Sequence, residues 1–158
     1  MLSNEARTEY LNIKSESYWG LSPTDFTYMT DEQIEKYINL KLDAFFFKSL
    51  QSHEYDAATK EQKEKYINSV ISNYSSAGNI FLQEYMFNDA TSEQKEKYIH
   101  IKLSKGSRLE KYEFEYATKE QKEKSIDTKL RIRYNLEDYE LEAATPEQKE
   151  RYKEYAKD

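Results

Sequence analysis

Thr91-Ser-Glu-Gln-Lys-Glu-Lys-Tyr-Ile99 is one of five in-frame copies of a single phrase, and its reading decides the fold. The others are Thr30-Asp-Glu-Gln-Ile-Glu-Lys-Tyr-Ile38, Thr59-Lys-Glu-Gln-Lys-Glu-Lys-Tyr-Ile67, Thr118-Lys-Glu-Gln-Lys-Glu-Lys-Ser-Ile126 and Thr145-Pro-Glu-Gln-Lys-Glu-Arg-Tyr-Lys153. A degenerate copy begins at Ser3, with Ala6 in the Gln position. The starts at 3, 30, 59, 91, 118 and 145 are separated by 27, 29, 32, 27 and 27 residues. A fixed period of this size marks repeated supersecondary units, each too small to bury its apolar face alone.

Each copy opens with a helix-start signal. The Thr hydroxyl accepts the backbone N–H three residues on, and the Gln there reaches back to the Thr N–H. The Glu before the Gln complements the helix dipole. Pro146 occupies a first-turn position where its missing N–H costs nothing. With the Thr as position 0, positions 7, 8, 10 and 12 are mostly apolar, as in Tyr98, Ile99, Ile101 and Leu103. They span an arc of roughly 200°, which suits a long helix A flanked on two sides.

Counting back from the next cap exposes a second element. Position −9 is Leu in every repeat: Leu21, Leu50, Leu82, Leu109 and Leu136. Position −4 is Phe26, Tyr55, Phe87, Phe114 or Leu141, and position −1 is Met29 or an Ala. This pattern predicts a short helix B of about two turns. The extra residues of the second and third repeats fall between A and B, as Asp43–Lys48 and Ser72–Asn79.

The expectation is an all-α single repeat domain over 1–158. It has five A–B hairpins (3–29, 30–58, 59–90, 91–117, 118–144) and a cap helix at 145–158. Stacked at 8–10 Å per helix, the hairpins form a short right-handed α-solenoid of roughly 50 Å. Lys153, in place of the buried Ile, gives the last helix the polar outer face of a terminal cap. The architecture resembles the α-solenoids built from helical hairpins, such as tetratricopeptide and pentatricopeptide repeats. The tetratricopeptide pattern of Trp, Leu-Gly-x-x-Tyr and a late Pro is absent, so the resemblance covers architecture and carries over no binding residue.

Composition narrows the class. The chain has 158 residues, 34% charged, with mean hydropathy −1.04. Its 15 Tyr argue against disorder, since a Tyr ring packs while its hydroxyl stays wet. It has no Cys, which excludes disulfides and thiolate chemistry. No basic-then-apolar leader is visible, and no apolar run approaches the ~18 residues of a membrane span. A cytoplasmic setting is the expectation, and a host cytoplasm if the Lys/Asn/Tyr/Ile-rich wording reflects an AT-rich phage genome. The net charge of −6 weighs against binding nucleic-acid backbones.

Catalysis has little support in the sequence. The two histidines, His53 and His100, sit at different register positions, and His53 takes the place of Tyr85, Tyr112 and Tyr139, a packing position. No Gly-rich phosphate loop or metal-spaced cluster is present, so the reading is a non-enzyme without cofactor or metal. A protein–protein interaction scaffold, as monomer or weak homo-oligomer, is the leading expectation. The candidate contacts are the aromatic A–B bends: Tyr18, Trp19, Phe45, Phe46, Phe47, Tyr74 and Tyr134.

A small acidic inhibitor of a host enzyme, of the phage anti-defence type, is the alternative. The five B stretches carry −1, −2, −2, −2 and −4, a sum of −11 that leaves +5 on the rest. Its candidate residues are Glu137, Asp138, Glu140 and Glu142, whose carboxylates would mimic a nucleic acid. Lys41, Lys102 and Lys129 at position 11, with Lys63, Lys95, Lys122 and Lys149 at position 4, read as a surface stripe along the A helices. A modular nucleic-acid binder reading position 9 (Asn12, Asn39, Asn68, His100, Asp127) is the third reading.

Overall fold

All five threonine caps form. In the computed structural model, which describes residues 4–16, 20–43, 49–77 and 81–155, each of the five threonines closes a capping box. The backbone N–H of Thr30, Thr59, Thr91, Thr118 and Thr145 donates to its Gln side chain at 2.9–3.1 Å. Each Gln N–H donates back to the Thr hydroxyl at 3.2–3.3 Å. The copy at Ser3 lies outside the described residues.

Long and short helices alternate. The long ones are α1 (Asn4–Ser15), α3 (Asp31–Asp43), α5 (Lys60–Ala77), α7 (Ser92–Ser104), α9 (Lys119–Arg131) and α11 (Pro146–Tyr155). Between them lie α2 (Pro23–Phe26), α4 (Ser52–Ala57), α6 (Glu84–Asp89), α8 (Lys111–Tyr116) and α10 (Asp138–Ala143). The fold is all-α, with no strand among the described residues. The chain divides into two compact units, Met1–Ser69 and Val70–Asp158, and the boundary falls inside α5. The N-terminal unit centres on Leu21, Tyr37, Ile38, Tyr55, Tyr66 and Ile67, and the C-terminal unit on Ile71, Leu82, Tyr98, Ile99, Leu109 and Ile126, all buried.

The short helices are tighter than the sequence pattern implied. Most run six residues and begin two residues after the −9 Leu, which sits in extended chain. That Leu is buried, so its backbone polar groups need partners from elsewhere. In the N-terminal unit the Tyr37 hydroxyl accepts the Leu21 N–H at 3.2 Å, and a His53 ring nitrogen lies 3.0 Å from the Leu21 carbonyl. In the C-terminal unit Tyr98 accepts the Leu82 N–H at 3.2 Å, and the Tyr112 hydroxyl donates to the Leu82 carbonyl at 2.8 Å. Ser125, standing where other repeats have Tyr, accepts the Leu109 N–H at 3.2 Å. His53 therefore does the packing work of the tyrosines in its register. It meets Phe26 edge-on at 4.9 Å, as Tyr112 meets Phe87 at 5.3 Å and Tyr139 meets Phe114 at 5.2 Å.

The position-11 lysines are not a surface stripe. Lys41, Lys102 and Lys129 are buried and ion-paired at 2.6 Å to Glu54, Glu113 and Glu140. Each Glu also accepts the N-cap backbone N–H of its own short helix, from Gln51, Glu110 or Glu137. One carboxylate thus closes a helix start and neutralises a lysine from the preceding long helix. The four methylenes of Lys carry its ammonium to the carboxylate, and two hydrogen-bonding partners offset the desolvation of the carboxylate.

In the Thr59 repeat both partners are apolar. Val70 and Met86 hold the equivalent positions and are buried. The pair is exchanged as a pair, as expected where a lone buried charge is far costlier than either matched solution. Burial pushes the Glu113 carboxyl above its ordinary 4.5, against the pull of Lys102. In the Thr118 repeat Ser125 is too short to reach the carboxylate as Tyr37 reaches Glu54 at 2.7 Å, and Glu140 Oε1 has no hydrogen-bond partner among the described residues.

Three of the four position-4 lysines set their ammonium groups over rings. Lys63 lies 4.9 Å from the Tyr55 centroid, Lys95 5.5 Å from Phe87 and Lys122 5.6 Å from Phe114. In several phrases the Gln has a second task beyond its cap. Gln62 Nε2 donates to the Glu35 carbonyl at 3.0 Å and to Asn39 at 2.9 Å, tying α5 to α3. Gln148 Nε2 donates to the Glu123 carbonyl at 2.9 Å, tying α11 to α9. Gln62→Ala should therefore cost about 1–2 kcal/mol in urea unfolding, more than an exposed cap alone. A loss below ~0.5 kcal/mol would show that the interhelix bonds contribute nothing.

Candidate interaction surface at the helix bends

Four aromatic bends are expected to carry the contacts, and the structure sorts them. Tyr18, Trp19, Phe45, Phe46 and Phe47 lie outside the described residues. Of the Ser72–Asn79 addition, Ser72–Ala77 continues α5, making it 18 residues long, and the last two residues lie outside the described ones. Tyr74 on that extension is 1% exposed. Its ring packs 5.5 Å from Tyr98 and 5.1 Å from Phe81, and its hydroxyl meets the Ser107 hydroxyl at 3.1 Å. Tyr74 is core and offers no contact surface. Lys105 caps this helix end by donating to the Tyr74 carbonyl at 2.6 Å.

Of the acidic candidates, Glu137, Asp138 and Glu142 are exposed, while Glu140 is fully buried against Lys129. A face built from all four carboxylates does not exist, since one is spent inside. Helix period explains the split: Glu140 is the N3 residue of α10, turned toward α9, and its neighbours point away. Nearby, burial first and then the Glu140 and Glu137 charges hold the Tyr139 hydroxyl proton up to about 12. Burial also raises Tyr112, with Glu113 adding to it.

Tyr134 is exposed and belongs to a cluster the sequence reading did not assemble. Helices α7 and α9 end in the same way. The Ser107 N–H donates to the Lys102 carbonyl and Gly106 to Leu103, while Tyr134 donates to Lys129 and Arg133 to Leu130. These are paired six-to-one and five-to-two bonds, the Schellman geometry. Its C′ residue has positive φ: 69° at Gly106 and 53° at Arg133. Glycine enters that region freely, and arginine pays about 1 kcal/mol or more. At Gly106 a Cβ would also lie 3.2 Å from Arg131 Nη2.

Arg133→Gly should therefore stabilise the protein by about 1 kcal/mol, raising Tm by roughly 2–4 °C, whereas Gly106→Ala should lower it. A lower Tm for Arg133→Gly would contradict this account of the bend.

Around these two bends lie Phe81, Ile132 and Tyr134, 47%, 58% and 44% exposed. A groove of about 350 Å³ runs between Phe81, Gly106, Ser107, Arg108, Thr128 and Ile132, with Lys102 and Glu110 also in its lining. A second hollow of about 420 Å³ adjoins it across Phe81, Lys102 and Glu110. The Arg108 guanidinium stacks 4.1 Å from the Tyr134 ring centroid. The signal in the sequence was the 27-residue register of Gly106 and Arg133, followed two and one residues later by Arg108 and Tyr134. Arginine was also concentrated there, with three of the chain's five in 108–133.

Position 9 carries interhelix bonds. Asn12 accepts from Gln33, Asn39 from Gln62, and Asp127 pairs with Arg151 at 2.8 Å. No group of three or more His, Cys, Asp or Glu among the described residues is arranged to hold a metal ion. None of the described helices is long and apolar enough to cross a membrane. Comparison with protein-family models, curated proteins and solved structures finds no match.

Proposed function

We propose that this chain is a non-enzymatic protein–protein interaction scaffold whose A–B hairpins stack as a short α-solenoid. The observation that carries the reading is a division of labour. The side chains that recur at the phrase's Thr, Gln, Tyr and Ile positions go to caps and core, and position 11 to buried ion pairs. Phe81, Ile132 and Tyr134, by contrast, stand exposed together at two A–B bends, where the repeats differ; Tyr10, Ile13, Tyr85 and Tyr116, also exposed, lie on helices. Exposed aromatics beside arginine are the residue types that dominate binding energy at protein interfaces. The hydrogen-bonded ends of α7 and α9 and the buried Lys102–Glu113 and Lys129–Glu140 pairs hold this edge on a fixed frame, which keeps the ordering cost of binding low.

The test is affinity capture followed by gel filtration. The expected result is one protein partner that co-elutes in fixed stoichiometry. Absence of any co-eluting partner under low and physiological salt contradicts the scaffold reading.

The exposure of Glu137, Asp138 and Glu142 favours a second reading, an acidic inhibitor acting through the α10 face. A charge-reversal test leaves Glu140 unchanged, since a lysine there would face Lys129 in the interior. Reversal of the three exposed carboxylates should abolish inhibition of the target enzyme, and unchanged inhibition refutes mimicry.

A further inference from the structure

We infer that the bend groove of the C-terminal unit takes an acidic peptide segment carrying a large apolar side chain. The inference rests on the scaffold reading and deepens it by naming the surface and the partner's chemistry. Two features of the groove point to this occupant.

The first is charge. The protein is acidic overall, at −6, yet Lys105, Arg108, Arg131 and Arg133 all lie exposed at these two bends. The guanidinium groups of Arg131 and Arg133 make no ion pair or hydrogen bond among the described residues, in a chain where Arg151 and most buried cations are paired. Unpaired arginines present a rigid fork of donors that matches a carboxylate. Arg108 lines the groove and Arg131 borders it at Gly106, against the single exposed acid in the lining, Glu110, while Phe81 and Ile132 supply exposed apolar walls for a side chain that must leave water.

The second is backbone strain. Arg133 holds a left-handed conformation that its register mate Gly106 holds without cost. Retaining a long cation at a position built for glycine means that the side chain does something the fold does not need. A nucleic acid fits less well, because the overall acidic field repels a polyphosphate, whereas a short acidic peptide meets mainly the local cations.

The experiment is a fluorescence-anisotropy titration of the full chain with a labelled synthetic peptide of Asp and Glu around a central Leu-Phe pair. Controls are the same peptide with Ser for Leu and Phe, and an oligothymidylate. The wild type should bind the first peptide, and the Ser control should bind at least ~10-fold more weakly. Arg131→Glu/Arg133→Glu should weaken binding by ~10-fold or more, as should Phe81→Ser/Ile132→Ser.

Arg133→Gly separates folding from binding, because it should raise Tm while weakening the peptide. No binding by the wild type, or equal binding by Arg131→Glu/Arg133→Glu, overturns the inference. Tighter retention of oligothymidylate than of peptide overturns it in favour of nucleic acid. Self-association of the wild type that the same variant abolishes overturns it in favour of a second copy. A partner protein captured equally well by wild type and Arg131→Glu/Arg133→Glu overturns this surface and leaves the scaffold reading standing.

Discussion

Glu113→Ala is expected to destabilise the protein by about 3–5 kcal/mol, while the paired exchange Lys102→Val/Glu113→Met stays within ~1 kcal/mol of wild type. Removing the carboxylate alone leaves the Lys102 ammonium, 3% exposed for the residue as a whole, without its counter-ion. It also frees the Glu110 N–H that Glu113 accepts at 2.6 Å. The paired exchange copies what the Thr59 repeat already contains at Val70 and Met86. There the desolvation penalty disappears with the charges, which offsets the lost cap of about 1 kcal/mol. Chemical denaturation of wild type, Lys102→Val, Glu113→Met and the double variant should give a coupling energy above ~2 kcal/mol. Additive single effects would mean that the pair is not a unit.

The pH dependence of the same cycle has a definite sign. Burial raises Glu113 in the folded state, so the folded protein holds that proton more readily than the unfolded chain. The group's contribution is therefore present below the ordinary 4.5 and is lost as pH rises through the folded value. Lys102→Val/Glu113→Met lacks this loss. Its stability relative to wild type should increase from pH 4 to pH 7, and a decrease would reverse the assignment.

Tyr98→Ala is expected to cost at least as much, about 3–5 kcal/mol from the ring alone. The side chain is fully buried, 5.5 Å from Tyr74 and 6.5 Å from Phe87, with Lys102 Nζ 5.6 Å from its ring centroid. Its hydroxyl is also the acceptor for the Leu82 N–H, so truncation leaves that buried donor unpaired. Tyr98→Phe isolates this second effect and should cost about 1–3 kcal/mol. Equal losses for the two variants would mean that the ring contributes little and the hydrogen bond nearly all.

The caps were legible because they are local. A Thr, a Gln three residues on and an apolar face at helical period all lie within one turn or two of each other, and no distant contact is needed to interpret them. The Lys–Glu pairs were hidden because each partner alone looks like solvent-facing charge. Lys102 and Glu113 are eleven residues apart on different helices, and only the bend between them brings them together. The joint switch to Val70 and Met86 in one repeat was the available clue. Tyr74 was misplaced because added residues prolonged α5 instead of forming a loop, carrying the ring into the core. Arg133 was overlooked because its importance lies in a backbone angle that no residue pattern displays.

The central claim is that what repeats builds the protein and what differs at the bends does the binding. Partner capture from a lysate of the organism that encodes the chain, with three versions of it, tests this most directly. The versions are wild type, the bend variant Arg131→Glu/Arg133→Glu and the repeat-surface variant Glu93→Lys/Glu120→Lys, whose residues are exposed at position 2 of the phrase. The account predicts that the bend variant loses the stoichiometric partner while the repeat-surface variant keeps it. Retention by the bend variant with loss by the repeat-surface variant would contradict it.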